Sequence, residues 1–244
     1  ECRPCQKMGS ISDRALTLAN DVAEAFPDKF VGMYAYSFHS PPPNIRARAN
    51  VIISTATAFI RGGLKIEELI SGWTAKGATT GIREYYSVNT WDRDMPGKSR
   101  GSNLEYITET IPAFHAAGAR FMSSESSDNW GCNGLGYYLA SHLLWDVTEF
   151  KNREQIAADF FDRAFTEASR TMKQFYKLID GANKKSKLVR EDLIARMYRH
   201  LAGARMLTDN PAVHRRLDDL TLYTRYVDLF DRYSAAEGQA RQAA

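Results

Sequence analysis

The first 150 residues alternate short apolar or β-branched runs with segments of helical periodicity, and this alternation constrains the fold more than any other feature. Runs typical of buried strands occur at residues 30–37 and 50–55, and again around Glu84 and Glu125. Strands that alternate with helices form parallel sheets with right-handed crossovers. The sequence therefore predicts an α/β fold with four parallel strands and helices between them.

The long connections in this region all follow predicted strands. They begin after Ser37, after Val88 and after Glu125. In parallel α/β folds, functional residues collect at the carboxyl ends of the strands. We therefore expect the polar residues of these three loops to form one site.

Two glutamates stand close to the ends of predicted strands. Glu84 lies in the segment GIREYYSVNTWD and Glu125 in ARFMSSESSDNWGC, both with aromatic neighbours. A carboxylate is costly to bury unless it is paired or hydrogen-bonded. Together with the aromatic residues, Glu84 and Glu125 predict a sugar-binding cleft with carboxylate acid/base chemistry. The alternative is that each glutamate only forms an ion pair with a neighbouring arginine.

Strand alternation makes the role of Glu84 conditional. Successive side chains of a strand point to opposite faces, so Glu84 lies on one face and Arg83 and Tyr85 on the other. If Arg83 and Tyr85 face the site, Glu84 is structural. In that case Asp92 or Asp94 of the following loop becomes the better candidate for the acid.

Other polar and aromatic residues near the strand ends are candidate sugar ligands. Tyr34 and Tyr36 share a strand face, and the alternative role for them is that of core aromatics. The tryptophans of the long loops could stack on a sugar ring or anchor the loops. The candidate substrate-binding residues are Tyr34, Tyr36, His39, Tyr86, Trp91, Asp92, Asp128, Asn129 and Trp130.

Composition and charge exclude several classes of partner. A net charge of +3 is too small to argue for nucleic acid, and we expect none as a partner. No apolar stretch approaches the roughly 20 residues that span a bilayer, so we expect no membrane contact either. We predict no cofactor and assign no metal ligands. Because the chain opens on Glu1 without a methionine, we expect it to be part of a longer protein.

The cysteines form one short motif. Cys2 and Cys5 lie in the sequence CRPC, which lacks the second pair that a zinc ribbon needs. We expect the motif to lie in a loop, where a disulfide or half of a metal site is favoured over redox catalysis. Cys132 is either an odd thiol or a partner across the same cleft.

The pattern changes after residue 150. Helical segments follow one another through residues 153–165, 167–180, 188–207 and 213–235, with a break at 183–187. Acidic residues balance the arginines of the last helices, which indicates solvated helical faces. We therefore divide the chain into an α/β domain at residues 1–150 and a helical region at 151–244.

The order of the motifs resembles a known family. The segments SDRALTLANDVAEAFPDK, AYS followed by PPP, and YYLASHLLWD are its most specific parts, within a region from Cys2 to Tyr176. The chain resembles a bacterial family of uncharacterised domains close to the α-glucuronidase-type (β/α)8 barrels of glycoside hydrolase family 67. In that family pattern a cysteine pair follows a mid-barrel strand and matches Cys2 and Cys5.

This resemblance implies that the four strands are the second half of a (β/α)8 barrel, with a helical region after them. It implies a carbohydrate substrate, namely a polysaccharide or a glycan that bears uronic acid, and a secreted or periplasmic location. Glu125 would be the base-side carboxylate and Glu84 the second, while the general acid would come from the missing first half of the barrel. The alternatives are a non-catalytic carbohydrate-binding domain and a structural accessory domain of a larger secreted protein.

Overall fold

The computed structural model describes residues 2–181 and 190–236. Its helices and strands are, in chain order, α1 (Arg3–Lys7), α2 (Ile11–Ala25), β1 (Val31–Ser37), β2 (Val51–Ile60), α3 (Ile66–Ala75), β3 (Thr79–Tyr85), α4 (Asn89–Asp92), α5 (Leu104–Ala117), β4 (Met122–Glu125), α6 (Trp130–Trp145), α7 (Arg153–Phe165), α8 (Ser169–Ile179), α9 (Arg190–Arg205) and α10 (Pro211–Ala235). None of the helices in the described ranges is long and apolar enough to cross a membrane.

Contacts divide the chain into two units, which we describe separately. The sheet unit consists of Glu1–Tyr85 and Glu109–Glu125. The helical unit consists of Tyr86–Thr108 and Ser126–Ala244. The division at residue 150 that we drew from the sequence stays a prediction.

The sheet unit contains one four-stranded sheet in the order β1-β2-β3-β4. All neighbouring strands are parallel, with Val31 opposite Val51 and Ile82 opposite Met122. The predicted α/β fold with four parallel strands is thus confirmed. Strand β2 runs on to Ile60, beyond the predicted end at residue 55.

Helices α2, α3 and α5 pack on one face of this sheet. Leu16 of α2 and Trp73 of α3 form a core with Ile53, while Phe114 of α5 packs with Ile82. Because side chains alternate along each strand, the residues next to Ile53 and Ile82 point to the opposite face. We call this opposite face, with Tyr34, Ser54, Gly81, Arg83, Tyr85 and Glu125, the open face.

Helix α2 begins at Ile11, and its N-cap is Ser10. Ser10 and Asp13 form a capping box, in which each side chain bonds the backbone N–H of the other. Asp13 is therefore the third residue of the helix, and it is 2% exposed.

Asp13 also fixes the loop that follows β1. Its Oδ1 accepts hydrogen bonds from the backbone N–H of Asn44 at 2.6 Å and of Ile45 at 3.2 Å. The Asn44 side-chain amide donates to Oδ2 at 2.9 Å. Burial alone would raise the pKa of Asp13, but these bonds and those from Ser10 outweigh it and hold the pKa well below its usual value.

The helical unit is built around one core. Its centre contains Phe161, Phe165, Met172, Phe175 and Met197, all nearly or completely buried. The helices predicted after residue 150 are confirmed, with ends that shift by a few residues. The predicted break at 183–187 lies outside the described residues.

We predict that Asp13→Asn lowers the free energy of unfolding by about 1–3 kcal/mol at pH 7, because it weakens charged hydrogen bonds to a buried group. The pKa of Asp13 is lower in the folded than in the unfolded chain, so its stabilisation is present above about pH 4 and is lost as the pH falls further. Urea unfolding followed by tryptophan fluorescence should show a smaller difference at pH 3 than at pH 7. Asp21→Asn, on an exposed position of the same helix, should change little at either pH.

Candidate functional site

Glu84 lies on the helix-covered face of β3 and is completely buried. The Thr57 hydroxyl donates a hydrogen bond to Glu84 Oε1 at 2.6 Å, and the backbone N–H of Tyr85 donates to the same oxygen at 2.7 Å. Glu84 lies two residues after Ile82 in β3, so both side chains point to the same face, and Ile82 packs there under α3 and α5. This is the arrangement under which the sequence assigned Glu84 a structural role, so the geometry disfavours it as a catalytic group.

Glu125 ends β4 on the open face. Its Oε2 lies 2.6 Å from Nη2 of Arg83, and the Glu125 side chain remains 44% exposed. In the sheet register Glu125 stands opposite Tyr85. The guanidinium of Arg83 also lies over the Tyr85 ring, 5.1 Å from its centre. Glu125 therefore forms the ion pair with a neighbouring arginine that was the alternative to a catalytic role. The pair leaves the Glu125 carboxylate accessible to solvent.

Tyr85 completes this group as a hydroxyl donor. Burial raises the pKa of Tyr85, although the charge of Arg83 opposes the rise. The phenol is therefore protonated over the physiological pH range. Arg83, Tyr85 and Glu125 together offer a charged donor, a neutral donor and an anionic acceptor at the carboxyl ends of two neighbouring strands. Such a set suits the recognition of hydroxyl groups.

Aromatic residues occupy the end of β1. Tyr34 is 54% exposed and lies on the open face, where it stands opposite Ser54. Tyr36 contacts Phe59 edge to face, with ring centres 5.6 Å apart. His39 lies in the turn after the strand, and burial lowers its pKa. Of the predicted ligands, the sheet unit thus presents Tyr34 most openly.

The loop after β3 belongs to the helical unit and contains a buried carboxylate. Asp94 is 7% exposed, and its Oδ1 accepts hydrogen bonds from the hydroxyls of Ser87 at 2.7 Å and Ser127 at 2.8 Å. The amide of Asn133 donates to the same oxygen at 3.3 Å. These donors come from two loops and from α6, so Asp94 joins three segments of this unit.

Asp92 shapes the same loop. Its carboxylate accepts from the backbone N–H of Val88 at 2.9 Å and of Asp94 at 2.8 Å. Arg93 and Asp94 both have left-handed backbone angles, with φ of 54° and 52°. Such angles are strained for residues other than glycine and need support from their surroundings. Asp92 was predicted to bind substrate, but its oxygens are engaged in supporting this turn.

Two tyrosines of α10 provide further support for the turn. The hydroxyl of Tyr223 donates to the carbonyl oxygen of Asp94 at 2.8 Å, and that of Tyr226 donates to the carbonyl oxygen of Arg93 at 2.7 Å. The sequence did not indicate these residues or the serines around Asp94. One signal was available, since Asn133 is an amide within the otherwise apolar start of α6, and the structure buries it completely.

The predicted ligands around α6 differ from their expected setting. Helix α6 begins at Trp130, which therefore lies in the first turn of the helix and not in a long loop, as the sequence had indicated. Trp130 is 66% exposed and meets the Tyr137 ring edge to face at 5.3 Å. Tyr86 is buried, and its ring stacks on the Tyr137 ring with the two centres 6.5 Å apart.

The remaining predicted ligands of the helical unit are more dispersed. Trp91 is 51% exposed and lies in the short helix α4, where the sequence predicted a loop. Asp128 is exposed, and Asn129 is the N-cap of α6 without a side-chain capping bond. The candidate residues are thus divided, with Tyr34, Tyr36, His39, Glu84 and Glu125 in the sheet unit and Tyr86, Trp91, Asp92, Asp128, Asn129 and Trp130 in the helical unit.

The CRPC motif does not lie in a loop, as we had expected. Cys2 is the N-cap of α1 and Cys5 lies within it. A hydrogen bond joins their sulfur atoms at 2.8 Å, and the structure has no disulfide between them. The bond from Cys5 lowers the pKa of Cys2. Within residues 2–181 and 190–236, no group of three or more His, Cys, Asp or Glu side chains is placed to hold a metal ion.

The two glutamates should differ in their contribution to stability. We predict that Glu84→Gln lowers the free energy of unfolding by about 1–3 kcal/mol, because it disturbs a buried, hydrogen-bonded carboxylate. Glu125→Gln removes a partly exposed ion pair and should cost about 1 kcal/mol or less. Urea unfolding of both variants measures this order. An equal or larger loss for Glu125→Gln would contradict the assignment of faces.

Comparison with known proteins identifies a family. No curated protein and no solved structure matches the chain. The sequence pattern of the family described as "Domain of unknown function (DUF4838)" matches residues 1–177. This range includes all four strands and helices α1 to α7. The match covers well over half of the sequence, and the chain therefore belongs to the family described as Domain of unknown function (DUF4838).

Proposed function

We propose that this chain is part of a glycoside-hydrolase-like domain that acts on polysaccharide or on glycans containing uronic acid. The observation that carries the proposal is the accessible Arg83–Glu125 pair beside Tyr85, at the carboxyl ends of parallel strands. Charged and aromatic side chains in such a place are typical of sites that bind and hydrolyse sugars. The motif resemblance to the α-glucuronidase-type barrels supports the same function.

The proposal includes a (β/α)8 barrel of which this chain supplies the second half. Strands in the sequential order β1-β2-β3-β4, all parallel and covered by helices on one face, fit a segment of such a barrel. A doubly wound sheet would reverse its strand order at a switch point. The first half of the barrel would come from the same natural protein and would cover the open edges of β1 and β4.

In this proposal Glu125 is the base-side carboxylate. Glycosidases generally use two carboxyl groups, and in inverting enzymes one of them activates water while the other protonates the leaving group. The guanidinium of Arg83 is always charged, so the pair suits a carboxylate that works in its ionised form. Among the four described strands the open face bears no second carboxylate. Asp92 and Asp94, which the sequence offered as the acid if Glu84 is structural, have their carboxylates engaged within the loop after β3. The general acid would therefore come from the first half of the barrel.

One observation favours a second function, that of a non-catalytic carbohydrate-binding domain. Glu125 is already engaged by Arg83, and Glu84, the other predicted catalytic group, lies on the helix-covered face. A face with one carboxylate, one arginine and several tyrosines could bind sugar hydroxyls without hydrolysing a bond. The two functions make different predictions for the same variant.

We predict that Glu125→Gln lowers the kcat for glucuronoxylan hydrolysis by about 10²–10⁴-fold in the natural protein that includes the preceding barrel half. The expected reason is loss of proton transfer, so the KM should change by much less. Reducing-end release measures the rate, and isothermal titration with the oligosaccharide products measures binding. Glu109→Gln, an exposed position on α5 of the same unit, is the matched control and should leave both unchanged.

If the variant keeps its kcat while the KM rises, Glu125 is a ligand and its role as a base is wrong. If the natural protein binds the oligosaccharides, releases no product, and loses binding on Glu125→Gln, the carbohydrate-binding function is correct instead. Absence of both binding and hydrolysis for uronic-acid-bearing glycans would contradict the proposal as a whole.

A further inference from the structure

A cavity of about 320 Å³ lies within the helical unit, next to α8. Its volume falls at the lower end of the range for small-molecule sites. Cys132, Leu135 and Phe161 form an apolar part of its wall, and all three are nearly completely buried. Charged side chains from α5, α7 and α8 line another part of the wall. An apolar surface with a few polar groups is the usual construction of a ligand site.

Tyr176 of α8 lines this cavity and is 6% exposed. Its hydroxyl makes no hydrogen bond to any residue that the structure describes, and it is not fully enclosed by protein atoms. Burial raises the pKa of Tyr176, and the nearby Cys132 adds to the rise, so the group is a neutral donor. Buried tyrosine hydroxyls usually have a partner. A ligand group that accepts a hydrogen bond would supply the missing partner.

Lys173 lies one helical turn before Tyr176 and lines the same cavity. Residues three apart on a helix are neighbours on its surface. The Lys173 side chain is half-buried and forms no ion pair with the described part of the chain. A partly desolvated ammonium group favours an anion close by. Two donors without partners, one of them charged, thus face the cavity from one side of α8.

The other charges of the wall limit how much negative charge a ligand can carry. Glu105, Glu154 and Asp180 line the cavity together with Arg153 and Lys177. Arg153 and Glu154 neutralise each other through an ion pair of 3.3 Å. Glu105 and Asp180 are balanced by Lys173 and Lys177, so the wall has no excess of positive charge with which to hold a dianion such as a phosphate monoester.

We propose that this cavity binds a small monocarboxylate with an apolar body. The apolar body would lie against Phe161 and Leu135, and the carboxylate would accept hydrogen bonds from the Tyr176 hydroxyl and the Lys173 ammonium group. This site is independent of the proposed hydrolase function, because none of its residues belongs to the sheet unit.

The test uses 3-phenylpropionate as the probe and its neutral amide as the comparison, with binding measured by ligand-observed NMR and isothermal titration. We expect the carboxylate to bind about tenfold more tightly than the amide, as a charged hydrogen bond and ion pair allow. Tyr176→Phe and Lys173→Met should each weaken carboxylate binding by about five- to tenfold. Lys98→Met and Tyr233→Phe, both at exposed positions outside the cavity, are the matched controls and should bind as the wild type does.

Tyr176→Phe removes only one oxygen and should fold normally, which circular dichroism and the melting temperature verify. Equal affinity for the carboxylate and the amide would overturn the proposal. So would unchanged binding in the folded Tyr176→Phe and Lys173→Met proteins, or no binding of 3-phenylpropionate at millimolar concentration. Tighter binding of phenyl phosphate than of 3-phenylpropionate would contradict the assignment to monocarboxylates.

Discussion

Side-chain alternation along β3 is the constraint on which the account of the site depends. It sends Glu84 under the helices with Ile82, and it sends Arg83 to the open face, where the guanidinium meets Glu125. A shift of one residue in this strand would exchange the two roles. The apolar side chain of Ile82 fixes the choice, because only the helix-covered face offers it a core.

The sequence predicted most of the sheet and of the later helices, because those elements follow local patterns. β-branched runs indicated β1 and β2, and helical periodicity indicated α7 with its observed ends. The start of α6 and the short helix α4 were not predicted. Their residues are polar, aromatic or glycine-rich, so the hydrophobic period does not reveal where the helix begins.

The candidate site was less predictable than the fold. Strand alternation correctly predicted that Glu84 and Arg83 lie on opposite faces of β3. Which of these two faces the helices cover depends on packing between segments that are distant in the sequence. The support of Asp94 illustrates the same limit, because its hydroxyl partner Tyr223 is 129 positions away in sequence. Contacts of this range leave no local pattern. The proposed catalytic site also needs a second carboxylate from outside the described strands.

Carbodiimide labelling of carboxylates, read residue by residue with mass spectrometry, tests the central claim that alternation in β3 separates the two glutamates. In the native protein Glu125 should react readily, since its side chain is 44% exposed, while the buried Glu84 should remain unlabelled until urea unfolds the chain. Labelling of Glu84 in the native state, or protection of both residues, would contradict the account.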